Sequence, residues 1–182
     1  MPVGTKLLRS NVTVLAAYPE AFVNPAAPTA AELNNQFVYT TKEDAMVFNI
    51  SCAILDDGFT ANVTDSETDD TRTICDIGQV ANPTFTTYEV SFDAFRDKSV
   101  TDPGLFNLFF DLFKGIDRPF WIVTRIGKLN TAPFLTDGSD VIKMFGVTTD
   151  YPNDLIEDNS MIRFGARFKN TGDLNVNYRV VS

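Results

Sequence analysis

The sequence predicts a mainly β protein: a β-sandwich or small barrel with one main flanking α-helix at about 103–114, and an extended N-terminal segment and loops. Three observations lead there. From Phe37 onward, run after run is rich in Val, Ile, Thr, Phe and Tyr, which suit a pleated, half-buried surface, and turn residues bound the runs. Within YEVSFDAF the alternation is clean, with Tyr88, Val90, Phe92 and Ala94 on one face and Glu89, Ser91, Asp93 and Phe95 on the other. One stretch alone, LFNLFFDLF, reads as a substantial helix, and no period of 20 to 50 residues points to a solenoid or propeller.

At 182 residues the chain suits one domain, 1–182, long enough to bury roughly 70% of the surface its unfolded form exposes. Within it, 1–36 reads as an N-terminal strand, loop and short helix, and 37–182 as the β-sandwich with its helix. The opening MPVGTKLLRSNVTVLAAYPEAF holds only a short, interrupted apolar run, so no secretion signal is expected. In NPAAPTAAELNNQ, Thr29 and Glu32 have the capping-box spacing, in which the hydroxyl caps the backbone and the carboxylate reaches back. A one-turn helix should open there.

Strands follow at QFVYTT, AMVFNISCAIL, FTANVT, TRTICDIG and TTYEVSFDAF, with Asp56-Asp57-Gly58 read as a turn. The acidic run DSETDD, holding Asp65, Glu67, Asp69 and Asp70, reads as a solvated hairpin tip or an interaction loop. It lacks the glycine and the twelfth-position Glu of an EF-hand, so no metal is expected. FWIVTRIG is a strand from Phe120 to Ile126. SMIRFGARFK and LNVNYRVVS are two more, joined by a turn at Asn170-Thr171-Gly172-Asp173, for about eight strands in all.

The helix has defined ends: Thr101 or Asp102 as N-cap, Pro103 at the first helical position and Gly115 as the stop. Asn107, Asp111 and Lys114 make one narrow polar stripe. Leu105, Leu108, Phe109 and Leu112 form one apolar surface, and Phe106, Phe110 and Phe113 another. Two apolar faces want two partners.

Composition excludes several function classes. The chain has no histidine, which removes Ser-His-Asp and Cys-His catalysis and the commonest transition-metal ligand. No phosphate-cradling glycine motif occurs, so no nucleotide cofactor is expected, and no apolar run approaches the roughly 18 residues of a membrane span. A net charge of -9 with scattered Lys and Arg argues against neutralising DNA phosphates, although an acidic wall serves a nucleic acid by repelling it. Sixteen Phe against one Trp suits cores and subunit seams better than a carbohydrate site. Cys52 and Cys75 fit small buried thiols better than a disulfide, and whether they are bridged stays open.

The order PTAAELNN, an Asp-rich hairpin, TICDIGQVANPTFTTYEVSFDAFRD and then LFNLFFDLFKGIDRPFWIVTRIG resembles the tail tube, or major tail, proteins of long-tailed bacteriophages, over roughly residues 6 to 180. The resemblance implies a β-sandwich or barrel with a flanking helix, no catalysis, and self-assembly into hexameric rings that stack into a hollow tube for genome delivery. It implies a virion tail protein assembled in the host cytoplasm, with tape measure and tail terminator proteins as partners and DNA passing without specific binding. One helix face, among Leu105, Phe106, Phe109, Phe110 and Phe113, would then lie in a subunit seam; alternatively both faces are covered within the monomer. Ring stacking would fall to projecting chain, the stretch from Pro2 to Arg9 with Lys6, and the loop with Asp65, Glu67, Asp69 and Asp70. The alternatives are a head-decoration or head-tail adaptor protein, and a monomeric carbohydrate-binding sandwich.

Overall fold

The computed structural model describes residues 11–37, 45–64, 67–69, 82–97, 104–156 and 161–181, and in them nearly every strand joins one curled sheet, a half-barrel. In chain order the elements are β1 (Val12–Ala17), α1 (Ala30–Asn34), β2 (Gln36–Phe37), β3 (Val47–Asn49), β4 (Ile54–Val63), β5 (Glu67–Asp69), β6 (Asn82–Phe85) and β7 (Tyr88–Phe95). There follow α2 (Leu105–Phe113), β8 (Pro119–Ile126), β9 (Asp137–Thr149), β10 (Asn153–Leu155) and β11 (Arg163–Val181). The sheet runs β2-β3-β1-β8-β9-β11-β7-β4, with β10 also on β11. Every pairing is antiparallel except β2 with β3. β5 and β6 form a separate two-stranded ribbon.

β11 makes the curl. Its first part, Arg163 to Arg167, pairs with β7, and from Phe168 onward it pairs with β9, so one strand serves both halves of the sheet. The Asn170-Thr171-Gly172-Asp173 signal, expected to be a turn, is instead an irregularity inside this strand. The register with β9 shifts between Asn170 and Leu174, and Gly172 takes φ 90°, which favours glycine. Asn170 Oδ1 accepts from the Gly172 N–H, the local hydrogen bond a turn would use, here spent on a bulge. Asp56-Asp57-Gly58 meets the same fate: β4 continues through it, with a register shift against β7 between Ile54 and Phe59. Glu67 to Asp69 is likewise strand rather than hairpin tip.

The curl encloses a core of Val14 and Ala16 of β1, Val90 and Phe92 of β7, Phe120 and Ile122 of β8, Phe145 and Val147 of β9, Phe164 and Ala166 of β11, and the buried side of α2. A second core lies on the other face of the same central strands. There Leu15, Val123, Ile142 and Met144 meet Phe22, Ala30 and Leu33 from the segment after β1, and Phe134. Residues 11–36 are therefore part of the sheet and its cover. β9 was not foreseen, because a strand buried on both faces loses the wet-dry alternation that marks a strand.

α1 forms as its capping box predicts: Thr29 Oγ1 accepts from the Glu32 N–H at 3.3 Å, and Glu32 Oε2 accepts from the Thr29 N–H at 2.8 Å. Burial raises the Glu32 pKa, but hydrogen bonds from the Thr29 and Val23 backbone and the Thr29 hydroxyl outweigh it and hold the carboxyl below its usual range.

Candidate assembly surfaces

α2 is where the resemblance would put a seam, unless both of its apolar faces are covered within the monomer. Its N-cap is Gly104; the positions expected to cap it, Thr101 to Pro103, lie outside the described residues. The carboxylate that serves the helix start comes from Asp97 beyond the end of β7: its Oδ2 accepts from the Asn107 N–H at 2.8 Å. A side chain at position 104 would push that carboxylate aside, so glycine leaves room for the contact that serves the helix start.

Phe113 is 1% exposed and sits at the centre of the curl, its ring 5.0 Å from Phe92, 5.3 Å from Phe120 and 5.6 Å from Phe168. Phe109 is buried with it, so the core face runs through Phe109, Leu112 and Phe113 rather than placing Phe113 with Phe106 and Phe110. Phe106 packs on Phe95 at 5.9 Å and Phe110 on Phe164 at 5.3 Å, with the Arg96 guanidinium 3.3 Å from the Phe110 ring centre. Leu105, Phe106 and Phe110 stay half-buried. Of the polar stripe, Asp111 and Lys114 are exposed and paired at 2.8 Å, whereas Asn107 is buried.

The sheet ends in two unlike edges. Among the described residues no strand pairs with the outer side of β4 or with β2 beyond β3.

A further organised surface lies between β8 and β9, at residues 127–136. Arg125 alternates onto the second core face, beside Val123, and its side chain is fully buried. Its Nη2 donates to Thr13 Oγ1 at 2.9 Å and to the carbonyls of Leu129 at 3.0 Å and Ala132 at 2.7 Å, and its Nη1 donates to Pro133 O at 3.1 Å. The guanidinium lies 4.2 Å from the Phe134 ring centre and 3.7 Å from Asp140 Oδ1, itself buried. Burial lowers the Arg125 pKa, and Asp140 acts against that shift. Asp140 also accepts from the Leu135 N–H at 2.8 Å and pairs with Lys128 at 2.9 Å. From the other side, Asn34 holds both the N–H and the carbonyl of Phe134, each at 2.8 Å, and Asn49 donates to the Asn130 carbonyl at 2.9 Å. Sequence reading passed over Arg125. The signal available was a charge at an inward phase of the strand FWIVTRIG.

Of the positions expected to stack rings, Pro2, Lys6, Asp65 and Asp70 lie outside the described residues, and Glu67 and Asp69 lie on β5. Cys52, expected to be buried, is an exposed free thiol on the turn before β4, with Asn130 Nδ2 3.7 Å from its sulfur; Cys75 lies outside the described residues. No group of three or more Cys, Asp or Glu among the described residues is arranged to hold a metal ion.

No curated protein sequence matches the chain. Among solved structures, it is similar to the SPP1 tail tube determined by solid-state NMR and cryo EM, with TM-score 0.49, 8% identity, and coverage of 96% of this chain and 81% of that one. The profile described as "Phage tail tube protein" matches residues 1–182. The chain therefore belongs to the phage tail tube protein family, and is a structural, non-enzymatic component of the virion tail.

Proposed function

We propose that copies of this tail tube protein close head to tail into rings, six to a ring as the resemblance implies, and that the rings stack into the conduit through which the genome passes. The observation that carries this reading is the pair of unlike edges, β2 and β4, that end one curled sheet among the described residues. An open edge presents unpaired backbone groups to another chain, and joining one edge to a different edge of the next copy is a heterologous contact, which closes into a ring when its rotation closes. The half-exposed side of α2, with Leu105, Phe106 and Phe110, flanks such a seam, and Phe109 and Phe113 support it from the core.

Stacking falls to the stretch from Pro2 to Arg9 and the loop from Asp65 to Asp70, and the ends of the tube to tape measure and tail terminator proteins. The excess of acidic residues lines the lumen, so that DNA, with one negative charge per about 1.7 Å of duplex axis, passes without sticking. Negative-stain microscopy and sedimentation of the purified chain test the reading. Rings or hollow fibres are expected, and a 20.2 kDa monomer at every concentration and salt tried would sink it. In an assembled ring, a neutral or basic inner wall would remove the proposed role of the charge.

A further inference from the structure

We infer that the connection between β8 and β9, residues 127–136, is a preformed contact surface for a second copy of this chain. The inference rests on the self-assembly reading above and assigns it a place that the sheet edges and α2 do not.

The first support is rigidity. A guanidinium buried this completely is costly, and three of its acceptors are carbonyls of the connection rather than groups of the core. With Asn34, Asn49 and Asp140 it holds backbone groups at residues 129, 130, 132, 133, 134 and 135. A surface loop needs no such clamp to connect two antiparallel strands; a loop that must meet a partner without losing entropy does.

The second support is what the held connection displays. Leu129 is 56% exposed and Leu135 41%, with Ile126 at its start 58% exposed. The third is charge. Two copies of a chain with net charge -9 repel, and they approach most easily where charge is absent. Residues 127–136 contain no carboxylate, and their single cation, Lys128, belongs with buried Arg125, buried Asp140 and exposed Asp137 to a set of two cations and two carboxylates whose charges cancel. A neutral, apolar, rigid patch on an acidic protein fits a second copy of the same neutral patch's owner better than it fits a nucleic acid or a charged ligand.

Cys52 reports on this surface without mutation, because its sulfur lies against Asn130. Maleimide labelling of Cys52, read by mass spectrometry on the peptide that carries it, is compared in the free subunit and in sedimented polymer. Labelling should be at least about tenfold slower in the polymer, since thiol reactivity requires access. In parallel, Leu129→Glu should leave thermal unfolding of the subunit unchanged and raise the threshold concentration for polymer about tenfold or more. Equal labelling rates, or an unchanged threshold for Leu129→Glu, overturn the inference. Slow labelling already in the free subunit also overturns it, by showing that the chain's own residues cover the connection. Absence of polymer in the wild type overturns the self-assembly reading together with this one, and sedimentation alone identifies that case.

Discussion

The hydroxyl of Tyr88 donates to the carbonyl of Asp173 at 2.9 Å, and the same hydroxyl reaches the carbonyl of Gly146. One phenol on β7 thus fastens the bulge of β11 to β9, across the core from its own strand. Burial pushes the Tyr88 pKa up, the Asp173 charge adds to this, and hydrogen bonds at Thr171 and the backbone of Gly172 oppose it.

Tyr88→Phe should cost about 1–2 kcal/mol, because the buried carbonyl of Gly146 and the part-buried carbonyl of Asp173 lose the donor they share, and lower the melting temperature by several degrees. A raised pKa in the folded state means that the stability tied to this group is fully present below the ordinary tyrosine value and is lost as pH rises through the folded one. Melting curves followed from neutral to alkaline pH should show that loss in the wild type and less of it in Tyr88→Phe.

Replacing Arg125 by Met should destabilise the chain by about 3 kcal/mol or more, since Asp140 keeps only Lys128 and the Leu135 N–H while three loop carbonyls lose their donor. Asp140→Asn should cost less, as Arg125 retains its carbonyl acceptors. Denaturant unfolding ranks the two, and hydrogen exchange should show the amides of Phe134 and Leu135 opening first in both.

Asp97→Ala should cost about 1 kcal/mol, the usual worth of a lost cap. Gly104→Ala should cost at least as much by displacing the same carboxylate. Because both changes break one contact, the double variant should be less destabilised than the sum of the singles, which a thermodynamic cycle measures.

Aspartate in α2 should act differently by position. Phe109→Asp places a carboxylate at a site 3% exposed and should give insoluble protein. Phe110→Asp lies beside Arg96 at a half-buried site and should give soluble subunits that fail to assemble. Expression, solubility and sedimentation read out both.

What the sequence made legible was local and one-sided. Thr29 and Glu32 specify their helix without help from the rest of the chain, and Tyr88 to Ala94 alternate because one face of β7 is buried and the other is wetter. β9 stayed hidden because its residues from Phe145 to Val147 are buried in succession. Gly58 and Gly172 sit in turn-like sequences, yet both fall within long strands whose pairing only the distant partners, β7 and β9, decide. The clamp at Arg125 depends on Thr13, Asp140 and a loop folded back on it, a set that no spacing announces. Cys52 looked buried from its apolar neighbours, but it occupies a turn.

The sharing of β11 between the two halves of the sheet has a mechanical consequence. A sandwich whose layers are joined only by loops can gape along the seam between them; here a continuous backbone crosses that seam, and Tyr88 rivets it at the crossing. Load applied at β4 reaches β1 through hydrogen-bonded strands at every step. Each subunit is thus a stiff unit, and any give in the assembled tube would have to come from the contacts between subunits.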